Sequence, residues 1–183
     1  MQEPRRPERA FVGVNVAGLT IDASIVAGVS VFALAAATCA RTARRTTTVP
    51  TWWRALAGVN AACAVEVLLG LRYRLHNLVI APLQELGWYS ARSPWQAVAI
   101  VTLVALALVL VAVVAWRRRG DAALVVATFG TALALALLAV EAISLHRVDA
   151  MMYAFVGPLV VVAWLWAGAA ALVTGSAFAA ARP

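Results

Sequence analysis

Several stretches of about 18 or more residues run with few or no charges, and each is long enough to cross a hydrocarbon core of about 30 Å. A chain of 183 residues cannot hide that much apolar surface in its own interior: 64% of it is apolar and its mean hydropathy is +0.89. Soluble domains are only about 45–50% apolar. In lipid each long run must satisfy its backbone hydrogen bonds internally. The expected fold class is therefore all-α, an integral membrane bundle of five transmembrane helices with one interfacial amphipathic segment and no β-sheet.

The expected order begins with a flexible tail over 1–10, followed by one transmembrane helical domain over 11–183. Spans are placed at about 21–40, 55–71, 94–116, 121–145 and 153–180. The run before Ala-Thr-Cys-Ala at 37–40 resembles a secretory leader with a small-residue cleavage site, but the apolar stretch reaches back to Phe11, so a retained helix is expected. In 75–92, Leu75, Leu78, Val79, Leu83 and Leu86 recur at helical spacing while polar residues take the other faces and Pro82 interrupts. That pattern fits a kinked helix lying along the surface, with Trp88 and Tyr89 at headgroup level. Ser93-Pro94-Trp95-Gln96 reads as a capping box, and Gly120-Asp121 as a helix stop and a new cap. Asp22 and Asp149 fit helix starts.

The net charge of +7 comes from arginine alone, with no lysine, and its clusters lie between the apolar runs. This is the pattern of a positive-inside bias, with the lipid bilayer and not nucleic acid as the partner. The arginine, alanine, valine and leucine bias suggests a GC-rich genome, and the expected location is a bacterial inner membrane. Arg41, Arg44, Arg45, Arg54 and Arg117–Arg119 share one face, here face B; Arg72, Arg74, Arg92 and Arg147 share the other, face A. Face B is expected in the cytoplasm and the N-terminus outside, although Arg5, Arg6 and Arg9 in the tail pull the other way. Cys39 and Cys63 sit in apolar runs without CxxC spacing and read as small buried hydrophobes.

Ionisable residues inside spans are expensive and are candidates for function. Glu66 and Glu141 lie at matching depth, each about 7–9 Å inside face A at about 1.5 Å per residue. The candidate polar cluster is Glu66, Glu141, Arg72, Tyr73, Arg74, His76, His146, Arg147 and Asp149. Cys63, Glu66, Gly70, Tyr73 and Asn77 fall in one narrow stripe of an ideal helix, whereas Glu141 and His146 lie about 140° apart unless the helix unwinds near Leu145. Arginines are thus the better partners for the glutamates. The same residues also admit plain readings, as capping groups, interfacial side chains or structural ion pairs. Trp164 and Trp166 read as packing residues or lipid contacts, with a cofactor wall as the alternative.

Three functions compete. The leading one is a non-enzymatic accessory or structural subunit of a larger membrane complex, with other membrane subunits as partners. Small size, short loops and the small pairs Gly58/Ala62 and Ala171/Gly175 favour it. The second is a lipid-, quinone- or metal-binding protein with its polar site at face A; a metal version would use Glu66, Glu141, His76 and His146. The third is a small intramembrane enzyme with one glutamate as acid or base, Ser144 being near Glu141. The chain carries no zinc-protease, P-loop or acyl-transfer pattern.

Overall fold

The computed structural model describes residues 14–16, 19–47, 49–74, 78, 92–143 and 146–182; for 14–16, 19–21, 92–93, 146–147 and 149 only the backbone is described. Among the described residues five helices are long and apolar enough to cross a membrane: α1 (Ala23–Arg45), α2 (Pro50–Leu69), α3 (Arg92–Arg117), α4 (Ala122–Ile143) and, after the short α5 (His146–Met152), α6 (Val161–Ala180). The chain is thus all-α in class, and by length and composition it is a multi-pass membrane protein.

Local chemistry sets the helix ends. The Asp22 side chain accepts from the Ile25 amide at 2.9 Å, and Asp121 accepts from Leu124 at 2.9 Å, so both cap as expected. α1 runs past Ala40 because Arg44 and Arg45 remain in its last turn, where they face the negative end of the helix dipole. α2 begins at Pro50 rather than near Ala55, since proline at the first helical position loses no bond that was available. At face B, Arg118 lies over Trp52 and Arg119 over Trp116, joining cations to indoles as interfacial anchors do.

α1 packs between α2 and α6, α4 packs on α6 and touches α2, and α3 packs chiefly on α4. The tightest approaches use glycine. A Cβ on Gly28 would meet Trp166 Cε3 at 2.7 Å, and one on Gly130 would meet the Ala169 carbonyl at 2.7 Å. Trp166 and Val67 pack against Gly28 and Val173 against Gly130, in a core that also holds Phe32 and Trp53. Hydroxyls inside the spans bond to carbonyls: Thr38, Thr128 and Ser176 to their own helix, and Thr42 to Ala177 across to α6 at 2.9 Å. Cys39 and Cys63 are buried and free.

Several expectations are corrected. Two short antiparallel hairpins are present: β1 (Val14–Val16) pairs with β2 (Leu19–Ile21), and β3 (Phe155–Val156) with β4 (Leu159–Val160). The second displaces the start of the last span from about Tyr153 to Val161. Its reason is Gly157-Pro158: Gly157 takes φ 65° and Pro158 has no donor to continue a helix. Residues 146–149 lie in α5, which puts Asp149 inside a helix and not at the helix start it was expected to cap. α3 begins at Arg92, so Ser93 is in its first turn rather than at the cap, and Gln96 donates to the Ile143 carbonyl of α4 at 2.8 Å. Gly58, Ala62, Ala171 and Gly175 lie exposed on the outer surface of the bundle, which leaves the close-contact reading of these pairs open to an outside partner. The tail 1–10 and all but Leu78 and Arg92 of the interfacial segment 75–92 lie outside the described residues.

Candidate functional site

Gly70 builds the site. Its left-handed conformation, φ 60°, ends α2, and its amide donates to the Glu66 carbonyl at 2.8 Å. The chain turns back, so that Arg72 sits under the helix end it has just left. Glu66 then grips Arg72 twice: Oε1 accepts from the Arg72 amide at 3.0 Å and Oε2 from its Nη1 at 2.6 Å. Arg72 reaches across to α4, where its Nε donates to Glu141 Oε2 at 3.1 Å. One guanidinium thus joins the two carboxylates placed at matching depth.

A ring of hydrogen bonds closes on this bridge. Tyr153, in the turn after α5, donates to Glu141 Oε2 at 2.8 Å, and Arg72 Nη2 donates to the Tyr73 hydroxyl at 3.3 Å. The two tyrosine oxygens are 2.5 Å apart. A hydroxyl has one proton to give, and that of Tyr153 goes to Glu141, so Tyr73 is the donor between them. The sense is fixed around the ring: Arg72 to Tyr73, Tyr73 to Tyr153, Tyr153 to Glu141.

The electrostatics are lopsided. The side chain of Arg72 is 6% exposed, that of Glu141 0% and that of Glu66 20%. Burial works against the charge on Arg72, but Glu141, Tyr73 and Glu66 outweigh it and hold its pKa above the ordinary arginine range. The ring faces of Tyr73 and Trp166 lie 4.6 and 5.3 Å from its Cζ and add to the hold. Burial, and then the neighbouring Glu141 carboxylate, push the Tyr153 hydroxyl up as well, so it stays protonated. Two carboxylates face one guanidinium, and Glu141 Oε1 is buried without a partner.

Beside the cluster opens a cavity of about 450 Å³ between the start of α1, the end of α2, Tyr153 and the start of α6. Its walls are apolar, from Ile25, Val67, Leu68 and Val162, while Asp22, Arg72, Tyr73, Arg74 and Tyr153 supply its polar groups. Trp166 also lines it, and the indole Nε1 of that residue is buried with no partner.

Of the sequence-named residues, the structure brings together Glu66, Arg72, Tyr73 and Glu141, and places Arg74, exposed, in the wall of the adjoining cavity. The side chains of His76, His146, Arg147 and Asp149 are outside the described residues, as is Ser144. The narrow stripe through Glu66 stops at Gly70, where α2 ends. Tyr153 was missed, because it read as the first residue of a span. Asn60 was missed as well: it is fully buried in α2 and donates to the Leu56 carbonyl and, at 3.0 Å, to Thr131 of α4. A lone amide in an apolar run is the signal that pointed to it. Trp166, buried, sits near the start of α6 in the core, and Trp164 is exposed.

A metal held by Glu66 and Glu141 does not fit this arrangement, since Arg72 occupies the bridging position a cation would take. Among the described residues no group of three His, Cys, Asp or Glu side chains is placed to hold one. Fold and site define a class, a small multi-span membrane protein with a buried ionic cluster at one end of its bundle. No family model, curated protein or solved structure matches the chain.

Proposed function

We propose that the protein binds the polar end of a membrane-soluble amphiphile in the cavity at face A. The observation that carries this is the cavity itself: about 450 Å³, walled by apolar residues of the span ends and by polar residues beyond them, beside the buried ionic cluster. That volume lies in the range of small-molecule sites, about 300–1,000 Å³. The exposed Arg74 and the Tyr73 and Tyr153 hydroxyls in the wall support the reading, because they offer hydrogen-bond donors to a polar end group. Purified protein should retain one lipid-like molecule per chain in native mass spectrometry after extensive detergent washing. Ile25→Trp, which fills the cavity from α1, should fold but lose it. Equal retention by both proteins would overturn the assignment.

A second reading is favoured by the outward small residues and by α3. Gly58 and Gly175 have nothing within 4 Å of an added Cβ, and Ala62 and Ala171 beside them are exposed. Close helix contact of the small-residue kind is thus available to another membrane subunit. Such an accessory role is supported if a stoichiometric partner is lost on Gly58→Leu or Gly175→Leu, and refuted if the native assembly contains this chain alone. A bacterial inner membrane, with the Arg117–Arg119 loop in the cytoplasm, remains the location this reading uses.

A further inference from the structure

We propose that the head group held in the face A cavity is zwitterionic, an ammonium and a phosphate as in an aminophospholipid, with the ammonium toward Asp22 and the phosphate toward Arg74. This rests on the amphiphile reading above and names its ligand.

Charge disposition decides the matter. Arg72 would be the natural phosphate receptor, but Glu66 and Glu141 already engage it, and that buried cluster carries one carboxylate more than it has guanidinium. A head group with only negative charge would enter a field set against it, since like charges at close range in a partly dry site repel strongly. Arg74 also lines the cavity, is exposed, and neither glutamate forms an ion pair with it. It is the lining cation whose charge the cluster leaves available. On the α1 side, Asp22 spends one carboxylate oxygen on the helix cap and presents its charge to the same cavity.

One void therefore has an anion contributed by α1 and a cation contributed from beyond the end of α2. A dipolar head group matches both at once, whereas a purely anionic or purely cationic one meets one favourable and one unfavourable end. Arg72 Nη2 adds a donor suited to a phosphate oxygen, since it holds only the long contact to Tyr73. Ile25, Val67 and Leu68 continue the wall toward the bilayer, where acyl chains belong, so a lipid fits and a free phosphoamine would leave that wall bare.

The test uses the full chain in mixed micelles with equal phosphatidylethanolamine and phosphatidylglycerol of matched acyl chains, counting retained lipids by native mass spectrometry. The wild type should keep phosphatidylethanolamine over phosphatidylglycerol by about tenfold, a difference of one decade in affinity. Asp22→Asn removes the charge yet keeps a residue that caps as well as aspartate, so the fold survives and the ratio should fall toward one. Arg74→Gln should lower retention of both lipids. Equal retention of the two lipids by the wild type overturns the proposal, as does a preference unchanged in Asp22→Asn. Retention of neither lipid overturns the amphiphile reading instead.

Discussion

Arg72 Nε lies 3.1 Å from Glu141 Oε2, so a residue just past the end of α2 is bonded to the buried carboxylate near the end of α4, 69 positions away. The two helices otherwise touch only lightly. Below it the Asn60–Thr131 pair joins them once more.

Removing the guanidinium should therefore cost more than removing the whole cluster. Arg72→Met leaves two carboxylates without their shared partner, and breaking a buried pair from one side costs about 3–5 kcal/mol. In the triple variant Arg72→Met/Glu66→Gln/Glu141→Gln no charge is stranded, and most of that loss should return. Unfolding by SDS from mild detergent micelles measures both. A triple variant no more stable than the single one would show that the cluster's hydrogen bonds, not its charge balance, dominate.

Tyr153 gives a pH signature. It is neutral when protonated and its pKa is raised, so the folded chain keeps a proton that the unfolded chain gives up at about pH 10. Its contribution to stability is complete below that pH and declines above it. Between about pH 9 and about pH 11 the thermal midpoint of the wild type should fall more steeply than that of Tyr153→Phe. At neutral pH the same variant should cost about 1 kcal/mol, since Glu141 loses one donor but keeps Arg72. Parallel pH profiles would exclude this role.

Gly70→Ala tests how the cluster is delivered. A side chain in the left-handed region costs about 1–2 kcal/mol, and here its Cβ would also lie 3.2 Å from Tyr73 Cδ2. Gly157 has a similar φ of 65° with nothing within 4 Å, so Gly157→Ala carries the backbone strain alone. The Gly70 variant should be the less stable of the two, and an equal loss would mean that Tyr73 shifts aside freely.

The cysteine content makes orientation directly measurable. Cys39 and Cys63 are buried, and a Cβ at Gly120 meets nothing within 4 Å. Gly120→Cys should thus be labelled by a membrane-impermeant maleimide in inverted vesicles and not in intact cells. Labelling in intact cells would place the Arg117–Arg119 loop outside and reverse the assignment.

The spans were legible because hydrophobic length is a property of sequence alone, and Glu66 with Glu141 stood out because carboxylates in such runs are rare. What sequence hid was the turning of the chain. Val14 to Ile21 alternates β-branched and polar residues about a glycine, yet beside a long apolar run it read as more of the same. Gly157-Pro158 is a stop signal embedded in an apolar run, and the length of that run alone does not show that the last span starts after it and that Tyr153 stands in the turn before it. The stripe through Glu66 was extended past Gly70 because helical periodicity assumes a straight axis. It was the break at Gly70 that placed Arg72 between the glutamates.

α3 leans chiefly on α4 and keeps a single buried apolar side chain, Val114, along its whole length. Its 26 residues amount to about 39 Å of helix, more than the hydrocarbon thickness of about 30 Å. A helix with lipid on most of its sides answers a change in bilayer thickness by tilting, at small cost. Gln96 is hydrogen-bonded to Ile143, two residues beyond Glu141, so a change in the tilt of α3 would bear on the helix end that carries the buried carboxylate.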